Sequence, residues 1–390
     1  MDCLGLEDKE KMKILIITHE YPPIGGGGAN ACLNLAGEYA KKGHHVTIVT
    51  VWFDGLAEEE YRENIRIIRL KAKRKHLEHC GFPEMLDYLW RALLLADKLQ
   101  RAERFDICQT FFAIPSGPVG YYLKKRYKLP YIIRFGGGDI PGFQERFQFI
   151  YKVIGPFEKL IWKNAAALVA NSQGLKKLAM AFYNKKEIGI ITNGVDEKWM
   201  NTKAPAYDNN DEIRLLFVSR LIERKGLQFV LPEIQHINRE TESRVTLTIV
   251  GDGPYRQELE RIVAENHLSD LVTFVGQKNK VELPVYYQAA DIFILPSKKE
   301  GMPNVVLEAM ASGLPIVMTP CEGSEELIEG NGYAVPVSEF AQKLICLCKD
   351  QNLRWQMGKV SRQLVRERFC WEGIAKQYLE LMEKCRCKSS

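Results

Sequence analysis

The sequence predicts an α/β protein built from two Rossmann-like domains in tandem, and three observations predict it. Short apolar runs rich in β-branched residues recur along the chain, each followed by a Gly, Pro or polar turn and then a helical pattern. These runs fall into two series separated by a polar segment with Pro205 and Asp208-Asn-Asn-Asp211. A length of 390 residues exceeds what one ordinary core supports and fits two domains of similar size.

The first series opens with Lys13-Ile-Leu-Ile-Ile-Thr18, apolar enough for a strand buried on both faces. The turn Tyr21-Pro-Pro-Ile-Gly-Gly-Gly-Gly28 follows, then a helix from Ala29 to Lys42 that stops at Gly43, then the strand His45–Thr50. Strand, glycine loop, helix and strand form one half of a doubly wound sheet. Further strands are expected at Ile65–Leu70, Ile107–Gln109, Tyr131–Arg134, Ala167–Ala170 and Ile188–Ile191. The second series runs through Arg214–Ser219, Thr246–Val250, Val272–Val275, Ile292–Leu295, Pro315–Met318 and Gly332–Val335. The expected division is a first domain over 1–195, a linker over 196–211, a second domain over 212–368 and a C-terminal helix over 369–390. That helix, amphipathic over Trp371–Met382, is expected to pack back on the first domain. Two such domains place a ligand in a deep cleft between the carboxyl edges of their sheets.

Composition excludes several classes. Hydrophobic content of 46% with 26% charged residues describes an ordinary soluble globular chain. No apolar run reaches the roughly 20 residues that span a bilayer, and the first ten residues do not read as a signal peptide, so a cytoplasmic location is expected. The ten cysteines stand alone or as C-x-C pairs without nearby histidine, which fits reduced thiols better than zinc or disulfides. The net charge of +5 gathers at Lys71–Lys75, Lys124–Lys128 and Lys185–Lys186. No aromatic-interleaved motif supports nucleic-acid binding, which leaves an anionic membrane surface or plain solvated faces. Leu86, Leu89, Trp90, Leu93 and Leu94 give the segment Phe82–Ala96 an apolar face, suited to core packing or to a membrane interface.

The chemistry concentrates in the second series, where a polar feature follows each strand. Ser219-Arg220 with Lys225-Gly226 offers a guanidinium fork and an ammonium beside one strand end, a pair suited to a diphosphate. Gly251-Asp-Gly-Pro254 allows close backbone approach to a ligand. In Glu300-Gly-Met-Pro-Asn-Val-Val-Leu-Glu308, Pro303 suits a first helical turn, Glu300 sits where N–H groups gather, and Glu308 interrupts an apolar helix. Asn304 and Ser312 lie four residues either side of Glu308, giving it a narrow polar stripe. A half-buried carboxylate there needs partners, either ligand hydroxyls or a lysine.

These motifs, with Val275-Gly276-Gln277, Tyr287-Gln-Ala-Ala-Asp291 and Ala311-Ser-Gly-Leu-Pro315, resemble the retaining glycosyltransferases of family four, over nearly the whole chain. The resemblance implies the GT-B architecture and transfer of a hexose from a nucleoside diphosphate sugar, as in cell-surface polysaccharide synthesis. It implies that Arg220 and Lys225 hold the donor diphosphate and that Glu308 binds the ribose hydroxyls. Glu300 would position the donor sugar with backbone groups of Met302, Pro303, Asn304 and Val305, and Gln277 would approach the base. Gly251, with Gly26 and Gly27 of the first-domain loop, would admit phosphates or acceptor. A UDP-sugar and a glycan, lipid-linked or small glycoside acceptor are the expected partners.

No D-x-D pair stands at a strand edge, so no metal or other cofactor is expected. The sequence departs from many relatives in Ile132-Ile-Arg134-Phe-Gly-Gly-Gly-Asp139-Ile-Pro-Gly142, which lacks the usual histidine. Arg134, Asp139 and the strand-end His19 are acceptor-side candidates. A sugar-nucleotide epimerase of the same fold is the alternative, though no histidine pair supplies its acid and base. A dinucleotide dehydrogenase is excluded, because Gly25–Gly28 lacks the spaced fingerprint.

Overall fold

The computed structural model describes residues 10–77, 80–143, 148–196, 199, 212–241 and 243–388, with the side chains of 148 and 149 left aside. The chain divides into two compact units. One takes Met1–Asn171, Lys176–Ile191 and Ala375–Ser390, and the other takes Ser172–Leu175 and Thr192–Ile374. Apart from Asp196 and Trp199, the expected linker lies outside the described residues.

The first unit is an eight-stranded sheet. Its strands are β1 (Lys13–Ile17), β2 (His45–Val51), β3 (Glu59–Arg62), β4 (Ile65–Leu70), β5 (Ile107–Phe111), β6 (Tyr131–Arg134), β7 (Ala167–Ala170) and β8 (Ile188–Ile190), in the order β3-β4-β2-β1-β5-β6-β7-β8. All neighbours pair in parallel except the β3–β4 hairpin. The central strands are buried almost end to end, as their unbroken apolar runs require. β3 gives no such signal. Its sequence Glu-Glu-Tyr-Arg is largely exposed at the sheet edge, where Glu59 bonds Arg66 on β4 across the hairpin.

The helix Gly27–Lys41 buries Ala29, Cys32, Leu35, Ala36 and Tyr39, the spacing of one helical face, and ends before Gly43 at φ +86°. The helix Phe82–Glu103 corrects the expectation for its apolar face. Tyr88, Ala92, Ala96 and Leu99 make the buried stripe, whereas Leu86, Trp90 and Leu94 remain exposed. The C-terminal helix runs over Trp371–Cys387, inside the span 369–390 expected for it. Ala375, Tyr378 and Met382 are buried, and the part from Ala375 onward belongs to the first unit.

The second unit is a six-stranded parallel sheet of β9 (Glu212–Val218), β10 (Arg244–Val250), β11 (Val272–Gly276), β12 (Ile292–Leu295), β13 (Ile316–Met318) and β14 (Gly332–Ala334). Their order is β11-β10-β9-β12-β13-β14. The unit starts earlier than the expected domain boundary because Thr192–Val195 packs within it. The Val195 N–H donates to the Phe369 carbonyl at 2.8 Å, and Trp199 lies 5.2 Å from the ring of Tyr287. Asp291, part of the Tyr287–Asp291 motif, holds Arg214 of β9 through both carboxylate oxygens at 3.0 and 3.1 Å. Asp291 therefore braces the sheet at the opposite end from the ligand edge.

Candidate functional site

From β9 the chain of the second unit winds outward one way through β10 and β11, then crosses back to β12 on the other side. The gap between β9 and β12 is thus the topological switch point, where loops diverge and leave a crevice at the carboxyl edge. Lys225 follows β9 and Glu300 follows β12, and their side chains meet there: Lys225 Nζ lies 2.5 Å from Glu300 Oε1. Both are mostly buried, with 13% and 12% of their side chains exposed. Ser297 Oγ donates to the same carboxylate oxygen at 2.7 Å, and the Ser297 carbonyl accepts Thr319 Oγ1 at 2.5 Å. Glu300 is therefore held by Lys225 after β9 and Ser297 after β12, and Ser297 is tied in turn to Thr319 after β13.

Glycine makes this convergence possible. Lys225 ends a 3-10 turn, Glu223–Lys225, closed by Gly226 at φ +78°, and a Cβ there would stand 1.9 Å from the Pro296 carbonyl oxygen. Gly226→Ala is expected to destabilise the second unit by at least about 2 kcal/mol, since it combines a left-handed backbone with a backbone clash. A melting temperature within 1 °C of the parent, on the scale of roughly 2–4 °C per kcal/mol, would contradict this. Gly251 has a similar role. At φ +139°, its Cβ would stand 1.9 Å from the Ser219 carbonyl oxygen. Close approach to a ligand is thus not needed to explain Gly251: packing of the turns after β9 and β10 already requires it.

Arg220 is exposed at the end of β9, five residues before Lys225. Gln277 is exposed after the edge strand β11, two strand spacings or about 10 Å from β9, so the structure does not gather it with the Lys225–Glu300 pair.

Glu308 lies in the helix Asn304–Ala311, and Pro303 caps this helix from outside instead of occupying its first turn. The helix ends before Gly313 at φ +84°. Glu308 is 9% exposed, and its Oε2 accepts the hydroxyl of Tyr287 at 3.0 Å. Burial and the adjacent carboxylate push the Tyr287 phenol well above its ordinary range, so it remains a donor. The expected polar stripe is used differently. Ser312 Oγ donates to the Glu308 backbone carbonyl, and Asn304 Oδ1 accepts Asn193 Nδ2 at 2.8 Å. Asn193 also donates to the Met302 carbonyl at 3.3 Å, which ties Met302 and Asn304 to the end of the first-series segment. Met302 and Pro303 are buried, and Val305 is half-buried with its carbonyl facing Tyr287.

Sequence reasoning missed Asn193, Tyr287, Ser297 and Thr319. Ser297 stands three residues before Glu300 and Tyr287 opens a quoted motif, but neither spacing announces a hydrogen bond between distant strand ends.

In the first unit the switch point lies between β1 and β5. Gly26 caps the helix Gly27–Lys41 without a side-chain capping bond, so the glycine loop presents a helix N-terminus at this edge. His19 follows β1. It is buried, its ring lies 4.8 Å from Phe112 in an edge contact, and burial with the nearby Arg74 cation pushes it down to about 3. Its imidazole is thus neutral across the physiological range, with Nε2 3.8 Å from Glu20 Oε1. Phe112 was not foreseen. It adopts φ +72°, and a Cβ on Gly28 or Gly136 would stand 2.5 or 2.2 Å from its ring, so both glycines make room for it.

The two loop candidates have structural duties. Asp139 is buried, accepts the Ala113 N–H at 2.6 Å and the Gly136 N–H at 2.8 Å, and staples the turns after β5 and β6 together. Arg134 is buried with its guanidinium 5.1 Å from the Phe111 ring centre and beside Tyr378 of the C-terminal helix. Its side chain points into the packing of the unit, away from the role expected of it. Among the described residues no three His, Cys, Asp or Glu side chains form a metal-binding group.

A mixed sheet and a parallel sheet, each with a polar switch point, and a C-terminal helix whose greater part belongs to the first unit are the parts of the GT-B fold. The family description Glycosyltransferase Family 4 matches residues 25–199, and Glycosyl transferases group 1 matches 212–350. An uncharacterised glycosyltransferase of Methanocaldococcus jannaschii is 30% identical over 303 residues, covering 72% of this chain and 75% of its own. The sucrose-phosphate synthase structure from Thermosynechococcus elongatus superposes with TM-score 0.80 at 24% identity over 97% of this chain and 100% of its own. HepE from Anabaena, solved in complex with UDP, gives TM-score 0.72 at 20% identity over 96% of this chain and 100% of its own. The chain belongs to the group 1, family four glycosyltransferases.

Proposed function

We propose that this glycosyltransferase moves a hexose from a nucleoside diphosphate sugar, a UDP-sugar by analogy with the UDP complex of HepE, with retention and without a metal. The observation that supports this is the meeting of Lys225 and Glu300 at the switch point of the second sheet. A nucleoside diphosphate sugar needs a cation on its diphosphate and hydrogen-bond acceptors on its sugar hydroxyls within a few ångströms. One charge-bearing pair supplies both. Arg220 adds a second cation on the same strand end, and Glu308, with Tyr287 behind it, offers a carboxylate to ribose hydroxyls.

The reaction breaks the bond between the anomeric carbon and the diphosphate oxygen. Charge develops on the leaving diphosphate, where Lys225 and Arg220 can stabilise it, the task a metal performs elsewhere. The acceptor hydroxyl attacks from the face the diphosphate leaves, a new C–O bond forms there, and the proton passes to the diphosphate oxygen. No protein nucleophile is consumed. The acceptor is a glycan, a lipid-linked sugar or a small glycoside, and the place of action is cell-surface polysaccharide synthesis.

Incubation with UDP-glucose or UDP-GlcNAc and a panel of sugar acceptors, with magnesium or EDTA, tests the reading. An α-linked product from an α-linked donor at equal rates in both conditions is expected. An inverted product, or turnover lost in EDTA, contradicts it. Conversion of the donor without any acceptor would instead indicate an epimerase. Tyr287→Phe is expected to weaken UDP binding by roughly tenfold to a hundredfold, the scale of one hydrogen bond to a charged group, as read by calorimetry.

A further inference from the structure

A single outer face of the first unit is built for a surface that the donor chemistry does not use. The chain crosses from β4 to β5 and then steps through β6 and β7 in one direction, and right-handed crossovers put the intervening helices on one side of the sheet. These are Phe82–Glu103, Gly117–Tyr127 and Gln148–Asn164, whereas Gly27–Lys41 connects β1 to β2 in the opposite direction and lies on the other side. The three helices touch in sequence. Tyr122 donates to Asp97 at 2.7 Å, and the rings of Tyr121 and Phe157 lie 6.3 Å apart.

Their outward sides carry large apolar groups at helical spacing. Leu86, Trp90 and Leu94 recur every four residues on the first helix, and Val153, Phe157 and Leu160 form a stripe on the third. Trp90 is 64% exposed, Val153 68% and Phe157 48%, far beyond what core packing would leave. Scattered exposed leucines are normal, but two such stripes on the outer helices of one three-helix face are not.

On the second and third of these helices the exposed charge is one-signed. On Gln148–Asn164 the cations Lys152, Lys159 and Lys163 are exposed, and the lone acid, Glu158, is buried. Gly117–Tyr127 carries Lys124, Lys125 and Arg126 and no acid. On Phe82–Glu103 the acids are neutralised locally: Asp87 accepts from the Lys73 N–H and Arg91, and Asp97 from Tyr122 and Tyr127 beside Arg101 and Arg126.

We propose that this three-helix face docks on an anionic lipid bilayer, with the apolar stripes entering the headgroup boundary and the lysines meeting lipid phosphates. Exposed aromatics on a face whose named acids are paired or buried and whose lysines reach solvent complement such a surface in both polarity and charge. An acidic protein partner would satisfy the lysines, but has no use for two bare apolar stripes ringed by them. The inference does not depend on which sugar is transferred.

Sedimentation of the full chain with vesicles tests it. Vesicles of equal parts phosphatidylglycerol and phosphatidylcholine are expected to bring the protein down, and phosphatidylcholine alone to leave it in solution. The double variant Trp90→Glu, Phe157→Glu and, separately, Lys152→Glu, Lys163→Glu are each expected to lose at least tenfold in partition, with melting temperature and donor turnover in solution unchanged. Failure to sediment with anionic vesicles at low salt overturns the proposal. So does binding that the charge variant loses and the apolar variant keeps, which is plain polyanion attraction, and so does a concentration-dependent dimer that Trp90→Glu dissolves.

Discussion

Lys225→Ala is expected to lower kcat/KM by about a hundredfold to a thousandfold, the effect of removing one well-placed charge from a developing anion, roughly 3–4 kcal/mol. Glu300→Gln is expected to lower it by about a hundredfold through lost positioning of the donor sugar. Their physical difficulty is that the two residues also support one another. With 13% and 12% of the side chains exposed, removal of either leaves a poorly solvated charge, and some loss of stability must accompany the loss of rate. Ser297 still donates to Glu300 in the lysine variant, which limits that loss to roughly 1.5–3 kcal/mol by the scale of one net charged hydrogen bond.

The double variant Lys225→Ala, Glu300→Ala separates the two roles. With both charges gone, no buried ion is stranded, so melting temperature should recover toward the parent while turnover stays lost. Turnover that recovers together with stability would mean the pair is a brace and nothing more. Near-parental kcat/KM in both single variants would remove the basis for placing the donor at this switch point.

The elements that the sequence announced are those whose signal is local. Unbroken runs such as Ile14–Ile17 and Ile292–Leu295 can only be buried strands, and Gly43 and Gly313 mark helix ends because only a left-handed backbone follows. The polar features after strands β9, β10 and β12 were legible for the same reason, since a parallel sheet sends every such turn to one edge. What stayed hidden depends on contacts between distant segments. β3 is charged and pairs only through its hairpin, so it carries no apolar pattern at all. Arg134 ends a strand whose four residues are all buried, and sequence alternation cannot tell which face receives the guanidinium. Asp139 reads as an acceptor contact in one dimension and proves a staple for two backbone amides in three. Asn193 falls just before the expected linker over 196–211, yet its amide holds Met302 and Asn304 from 109 and 111 residues away.

Glu158→Gln is expected to stabilise the protein, and more so as pH rises. Glu158 is fully buried in the helix Gln148–Asn164, and among the described residues neither carboxylate oxygen has a hydrogen-bond partner. Burial, and after it the negative field of Asp139, pushes its carboxyl up to about 9 from an ordinary value of 4.5. The sign follows from proton counting. Between pH 4.5 and 9 the folded chain keeps a proton that the unfolded chain has released, so unfolding is favoured increasingly as pH rises, by about 1.4 kcal/mol per pH unit. At pH 7 the accumulated cost is on the order of 3 kcal/mol. Glutamine keeps the shape and the neutral amide-like polarity but cannot ionise in either state, so it escapes this cost. The gap in melting temperature between variant and parent should be near zero at pH 4.5 and open to roughly 6–12 °C at pH 7. A gap that stays constant between pH 5 and pH 8 would mean that the Glu158 carboxyl ionises within the fold as readily as in the unfolded chain, and that its apolar surroundings are hydrated.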